Sequence, residues 1–227
     1  MCRAIENKAL KMGLTHVSRL TANLLRPVPI RDLAIEVITN YVGRNSGHFS
    51  ARLKADDKEV ALVTALAQRE NAVKLPDSLP DLSLSGAPRR PDDSPPAIFP
   101  FHGKQVGYAD LVETRIASGV FFKGPCAVWF RLRHPLLQSE EPSAYQRVAV
   151  AADSGNGISA ILDLGRYSFL NLDLTVNLLR KPIGEWICLE ARTYLGPTGC
   201  GLAESMLYDL QGLIGRATQN LAIRARD

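Results

Sequence analysis

Residues 175–180 read Thr-Val-Asn-Leu-Leu-Arg, and residues 21–26, which lie 154 positions earlier, read Thr-Ala-Asn-Leu-Leu-Arg. Three further identities keep this separation: Glu36 with Glu190, Leu53 with Leu207, and Thr64 with Thr218. A period this long in only two copies indicates a duplicated domain, because solenoid arrays have shorter periods and at least three copies. We therefore expect two modules of one fold, in which a polar residue present in a single copy is a candidate for chemistry.

The composition is that of an ordinary globular protein, with 227 residues, 46% hydrophobic and 22% charged. The 27 basic and 23 acidic residues give a net charge of +4 without a dense Lys/Arg run, so we predict no nucleic-acid partner. We also predict no membrane partner, because no apolar run is long enough to span a bilayer. The N-terminal segment lacks the apolar core of a signal peptide, and we expect a cytoplasmic protein.

Cysteines and histidines are scattered along the chain. Neither the cysteines nor the histidines have the spacing of metal ligands. The residues concerned are Cys2, Cys126, Cys188, Cys200, His16, His48, His102 and His134. This pattern is typical of reduced thiols and predicts no metal site.

Alternating apolar and polar residues predict four strands between residues 20 and 69, after a helix over residues 2–12. Short turns between consecutive strands favour an antiparallel sheet. A proline-rich stretch follows and predicts an extended linker. We therefore expect a first module at residues 1–75, a linker at 76–103 and a second module at 104–227.

The second module has the pattern strand, strand, helix and then a four-stranded meander. Strands are predicted over residues 108–118 and 126–133. The polar, acidic and proline-containing run Ser139-Glu140-Glu141-Pro142 predicts a helix start, and this helix should reach Asp153 and break at Ser154-Gly155-Asn156-Gly157. The closing strands are predicted over four ranges: 169–180, 186–195, 201–209 and 213–224.

One helix wrapped by a curved antiparallel sheet is the simplest packing of these parts, so the predicted fold class is α+β. The first module shows the same order but begins inside its helix, so we expect it to be truncated at its front. Its missing strands would leave an open edge, to be covered by an upstream segment or by another chain. Edge strands of this kind favour a homo-oligomer.

This duplicated helix-plus-meander resembles the double hot-dog fold of the thioesterase II-type (TesB-like) acyl-CoA thioesterases. The resemblance rests on three segments, which are AADSGNGISAILD (151–163), NLDLTVNLLRKPIGEW (171–186) and GRATQNLAIR (215–224). The resemblance implies the arrangement of that family, in which three groups orient an attacking water. These groups are a helix aspartate, a Thr or Ser two residues before a strand aspartate, and a glutamine on the last strand. By position these fall on Asp153, Asn171 and Gln219. Asn171 departs from the family's hydroxyl, but an amide can also donate and accept hydrogen bonds.

These three polar positions occur in the second copy alone. The residues 154 positions before Gln219 and Asn171 are Ala65 and Val17. Asp153 is expected at a helix C-terminus, where its charge opposes the helix macrodipole, and burial would raise its pKa toward the range of a general base. The alternatives are a solvated Asp153 before a glycine-rich turn, an outward-facing Gln219 and a strand-capping Asn171.

The resemblance implies hydrolysis of acyl-CoA to free fatty acid and CoA by a water that Asp153, Asn171 and Gln219 position, without a metal or redox cofactor. The chain has no Gly-x-Ser-x-Gly, which excludes a serine α/β-hydrolase. No histidine lies in the helix near Asp153, which argues against the hot-dog dehydratases. Two alternatives stay open: a non-catalytic acyl-CoA or acyl-carrier binding protein, and an assembly partner whose open first module pairs with another chain.

Overall fold

The structure is a computed structural model that describes residues 1–79, 86–99 and 106–226. Its helices are α1 (Cys2–Leu10), α2 (Tyr108–Leu111), α3 (Ala144–Ala152) and α4 (Gly155–Ser159), with a single 3₁₀ turn at Pro91–Asp93 in the described ranges. The strands of the first module are β1 (His16–Leu24), β2 (Ala34–Val42), β3 (Ser46–Ala55) and β4 (Lys58–Gln68). The later strands are β5 (Pro96–Ala97), β6 (Val112–Ser118), β7 (Cys126–Leu132), β8 (Tyr167–Asn171), β9 (Asp173–Leu178), β10 (Ile187–Leu195), β11 (Cys200–Asp209) and β12 (Gly212–Ala225).

The strands form one 12-stranded antiparallel sheet in the order β2-β3-β4-β1-β9-β12-β11-β10-β7-β6-β5, with β8 paired to the far end of β12. Helices α3 and α4 pack on the strands of the second module, whereas α1 packs on β2 and β3 and touches α3. One buried cluster extends through both modules and includes Ile5, Phe49, Val148, Ile158 and Leu189. The predicted α+β class and antiparallel sheet agree with this architecture, and the double hot-dog arrangement stays a prediction.

The 154-residue repeat is visible in the strand boundaries. Strand β3 begins and ends 154 residues before β11, and β4 begins 154 residues before β12. Strand β1 corresponds to β8 and β9 together. Its register shifts around Ser18, the counterpart of Leu172, where β8 gives way to β9.

The repeated hexapeptides pair with each other. Strand β1 runs antiparallel to β9 with Thr21 opposite Thr175, and the Thr175 hydroxyl donates to the Thr21 hydroxyl at 3.1 Å. Around this pair Arg19 lies opposite Asn177, and Asn23 lies opposite Asp173. Because Asn177 and Asp173 are the counterparts of Asn23 and Arg19, a local twofold axis passes through the threonine pair.

The single strand predicted over residues 169–180 is two strands, β8 and β9, which are separated at Leu172. Two predicted boundaries also differ from the structure for local reasons. Helix α3 begins at Ala144, not near Ser139, because Ser143 and Gln146 form a capping box. The Ser143 hydroxyl accepts from the Gln146 N–H at 3.1 Å, and the Gln146 side chain accepts from the Ser143 N–H at 2.9 Å. The predicted strand 108–118 opens with helix α2, whose Asp110 side chain accepts from the Gly107 N–H at 2.8 Å.

Part of the predicted linker packs against the second module. Residues 80–85 and 100–103 of the range 76–103 lie outside the described residues. Between them, β5 pairs with β6, the Trp129 indole N–H donates to the Arg89 carbonyl at 2.7 Å, and Phe99 is 5% exposed. Over residues 86–99 the expected extended spacer is therefore an ordered, partly buried segment. The proposed domain boundaries stay predictions.

Strand β2 lies at one edge of the sheet. Among the described residues it pairs with β3 alone, whereas its repeat counterpart β10 lies between β11 and β7. In the described ranges, no helix has the length and apolar character needed to cross a bilayer.

The repeated arginines Arg26 and Arg180 both make contacts within the fold, but their environments differ. The Arg180 guanidinium makes two 2.6 Å hydrogen bonds to the carboxylate of Asp209, whose side chain is buried. Burial alone would raise the pKa of Asp209, yet Arg180 and the N–H groups of Ile183 and Gln211 hold it below its ordinary value. Arg26 is exposed and donates to the Glu59 carbonyl.

We expect Arg180→Met to lower the free energy of unfolding by about 3–5 kcal/mol at pH 7, because it leaves the Asp209 carboxylate buried without its partner. Arg26→Met is the matched control and should change it by less than about 0.5 kcal/mol. Urea denaturation followed by circular dichroism measures both. The difference in free energy of unfolding between the two variants should become smaller as the pH falls through the lowered pKa of Asp209. At such pH values the carboxylate is protonated and its ion pair with Arg180 is lost. Equal effects of the two changes at pH 7 would contradict this assignment.

Candidate active site

The three predicted site residues come from separate elements and lie together. Asp153 is the C-cap of α3, Asn171 ends β8, and Gln219 lies within β12. The Asn171 side-chain amide donates to Asp153 Oδ1 at 2.8 Å. The Gln219 amide donates to the Asp153 backbone carbonyl at 3.1 Å and lies 3.5 Å from Asp153 Oδ1. One carboxylate oxygen is thus approached by two amides.

The register of the sheet explains this meeting. Asn171 pairs with Leu221, two residues along β12 from Gln219. Side chains two residues apart in a strand share a face, so both amides point to the side on which the helices pack. Helix α3 ends there because the Asp153 N–H makes the last helical bond to Ala149 and the chain turns at Ser154 into α4.

Gln219 is 2% exposed and its orientation is set by α4. Its Oε1 accepts from the Asn156 backbone N–H at 2.9 Å, which leaves the Nε2 hydrogens facing Asp153. Gly155 makes this approach possible. A Cβ at that position would lie 2.8 Å from Ser205 Oγ and 3.1 Å from Gln219 Oε1. The glycine therefore contributes to the site by being small.

The Asp153 carboxylate reaches solvent at the mouth of the site, yet protein atoms crowd it on its other sides. This burial raises its pKa above the ordinary value, and the hydrogen bond from Asn171 partly opposes the rise. Its position at a helix C-terminus also disfavours negative charge. Asp153 Oδ2 has no hydrogen-bond partner among the described residues, so this oxygen can accept a proton.

The site opens into a pocket of about 390 Å³ between the end of α3, the first turn of α4 and strand β8. Two aromatic side chains, the buried Phe99 and the partly buried Tyr108, line part of it. The exposed part is lined by Leu164, Leu170 and Arg226. The pocket thus combines aromatic side chains, the Asp153 carboxylate and an exposed positive charge.

Three further polar residues at the pocket were not identified from the sequence: Tyr108, Ser154 and Asn156. The Tyr108 hydroxyl donates to the Val150 carbonyl at 2.9 Å and lies 2.7 Å from Ser154 Oγ, and burial raises the pKa of Tyr108 so that it stays neutral. Asn156 Oδ1 is buried without a hydrogen-bond partner in the described part of the chain. The signal for Ser154 and Asn156 is the run Ser154–Gly157, for which the sequence pattern predicts a helix break.

Within residues 1–79, 86–99 and 106–226, no three His, Cys, Asp or Glu side chains are grouped so that they could hold an ion.

Comparison with solved structures shows the hot-dog fold. The acyl-CoA thioesterase II TesB2 from Mycobacterium marinum superposes with a TM-score of 0.66 at 18% identity, over 93% of this chain and 82% of that one. A conserved protein of unknown function with a hot-dog fold from Alicyclobacillus acidocaldarius gives a TM-score of 0.71 at 18% identity, over 98% and 86% of the two chains. The tesB protein of Mycobacterium avium subspecies paratuberculosis gives 0.64 at 14% identity, over 97% and 85%.

No curated protein sequence matches the chain. The family model of the acyl-CoA thioesterase C-terminal domain, however, matches residues 89–223, which is more than half of the 227 residues. The matched region includes Asp153, Asn171 and Gln219, and it also includes the ordered segment that carries Phe99. The chain therefore belongs to the acyl-CoA thioesterase family.

Proposed function

We propose that this protein hydrolyses acyl-CoA thioesters with a water positioned by Asp153, Asn171 and Gln219. The observation that carries the proposal is the asymmetry of the Asp153 carboxylate. Its Oδ1 is held by Asn171 and approached by Gln219, whereas its Oδ2 lacks a partner among the described residues and the group opens to solvent in the pocket. A carboxylate with one oxygen tethered and a raised pKa has the properties of a general base.

The proposed reaction begins when Asp153 takes a proton from the water, whose oxygen attacks the thioester carbonyl carbon. The resulting oxyanion is stabilised by hydrogen-bond donors at the site. When the tetrahedral intermediate collapses, the C–S bond breaks and the CoA sulfur receives the proton held by Asp153. The products are a free fatty acid and CoA, and the carboxylate is regenerated. Asn171 and Gln219 contribute by holding the water and the base in line.

Asp153→Asn should lower kcat/KM for acyl-CoA hydrolysis by about 10²–10⁴-fold, because it removes the base and keeps the shape. Gln219→Ala and Asn171→Ala should also lower it, whereas Asn171→Thr, which introduces the family's hydroxyl, should retain activity. Thiol release from a panel of acyl-CoAs measures these rates.

Asn177→Ala is the matched control for Asn171→Ala, since Asn177 is exposed in β9 and has a structural counterpart in Asn23. It should leave kcat/KM unchanged. Unaltered turnover in Asp153→Asn would exclude the proposed base. Acyl-CoA binding without any thiol release by the wild-type protein would instead support a binding function.

The pH dependence follows from the direction of the pKa shift. Because the base must be ionised, we expect kcat/KM to fall on the acid side as the pH drops through the pKa of Asp153, above the ordinary carboxyl range. The Asn171 hydrogen bond lowers this pKa, so the residual activity of Asn171→Ala should show its acid limb at higher pH. A rate profile from pH 4 to 9 tests this, and an acid limb that stays in place in Asn171→Ala would contradict the assigned contact.

Asp153→Asn should also stabilise the protein at neutral pH. A carboxyl whose pKa is raised by folding destabilises the folded state when it is ionised, and this cost disappears as the pH falls and the group is protonated. Removing the charge at the end of α3 should raise Tm by about 1–4 °C at pH 7. Thermal denaturation of both proteins at pH 7 and at pH 4 measures the difference, which should shrink at the lower pH. A lower Tm at pH 7 would show that the charged form is not penalised.

A further inference from the structure

We propose that Phe99 is the end wall of the acyl-binding part of the pocket and limits the enzyme to short acyl chains. This inference rests on the proposed function and adds a substrate class to it.

Phe99 lies between the pocket and the core. It is 5% exposed and forms part of the pocket lining, and its ring packs edge-on against Tyr108 at 5.1 Å between centroids. It also packs against Phe121 at 6.2 Å and Phe130 at 6.0 Å between ring centroids. Phe130 is buried in β7, between β6 and β10. The ring of Phe99 therefore has close-packed core behind it.

The backbone that carries Phe99 is anchored just before it. Strand β5 pairs with β6, the Thr114 hydroxyl donates to the Ala97 carbonyl at 2.7 Å, and the Ile116 N–H donates to the Pro95 carbonyl at 3.0 Å. Phe99 follows β5 by two residues. These bonds hold the ring as a fixed wall, which a long acyl chain would have to displace.

The opposite end of the pocket suits the polar part of the substrate. From Asn171, strand β8 leads outward past Ser168 to Tyr167, and the Arg226 N–H donates to the carbonyl of the preceding Arg166 at 2.8 Å. Five residues of strand separate Asn171 from Arg166, which is about 16 Å. The exposed cation of Arg226, whose backbone lies at the outer end of β8, fits the phosphates of CoA at the end of its long arm.

The acyl chain is then directed to the aromatic end. Tyr108 lies 2.7 Å from Ser154, the residue next to Asp153, and Phe99 packs directly on Tyr108. An acyl chain that extends from the thioester carbonyl thus passes Tyr108 before it reaches Phe99. Each methylene buried along this path should raise kcat/KM by about fourfold, until the chain meets Phe99 and the gain stops.

The experiment measures kcat/KM for a saturated series from acetyl-CoA to palmitoyl-CoA, in the full chain and in Phe99 variants. The wild type should favour short acyl chains and decline sharply toward palmitoyl-CoA. Phe99→Ala should move the optimum to longer chains, Phe99→Leu should move it less, and Phe99→Trp should move it to shorter ones. Ile98→Ala, in the exposed neighbour, is the control and should keep the wild-type profile.

The outcomes separate this inference from the proposed function. A wild-type preference for palmitoyl-CoA, or an unchanged profile in Phe99→Ala with activity that still requires Asp153, would overturn the role of Phe99 and leave the hydrolase standing. If the wild type released no thiol from any member of the series, the hydrolase proposal and this inference would both fall. Thermal denaturation would show whether Phe99→Ala folds. If it does not, Phe99→Leu and Phe99→Trp test the role of Phe99, because they must shift the preferred acyl chain length in opposite directions.

Discussion

The pairing of β1 with β9 is the constraint on which the rest of the structure depends. It joins two antiparallel meanders into one sheet and places Thr21 against its own repeat counterpart, Thr175. Because β9 also pairs with β12, the same seam sets the position of the strand that carries Gln219. Strand β8 then follows β12 outward and brings Asn171 to the same face. The architecture of the duplication thus leads directly to the geometry of the candidate site.

The two copies use the same backbone for different purposes. The second copy carries Gln219 and Asn171 where the first has Ala65 and Val17. Ala65 and Val17 are buried apolar residues of the common core. A buried amide is tolerated only with hydrogen-bond partners, and the second copy supplies them through Asp153 and the Asn156 N–H. A polar network has therefore replaced apolar packing in one copy of the duplicated fold.

The ordered part of the predicted linker contributes to both the sheet and the pocket. Residues 86–99 extend the sheet by one short strand and deliver an aromatic ring to the pocket. The segment contacts the core through Phe99 and accepts a hydrogen bond from Trp129. The connection predicted between the modules thus lines the pocket of the candidate site through Phe99.

The sequence by itself determined the repeat and the antiparallel strands, since strand alternation and a 154-residue offset are local or pairwise patterns. The three residues that meet at the site were assigned through the resemblance of its motifs to the thioesterase family. The sequence also placed Asp153 at the end of a helix. Only the tertiary structure decided that residues 86–99 are packed and that Tyr108, Ser154 and Asn156 surround the pocket. These features depend on contacts between residues far apart in the chain, such as Tyr108 with Ser154 and Phe99 with Phe130. Composition and periodicity carry no record of such contacts, because the same residues would satisfy a loop pattern whether they faced solvent or a pocket.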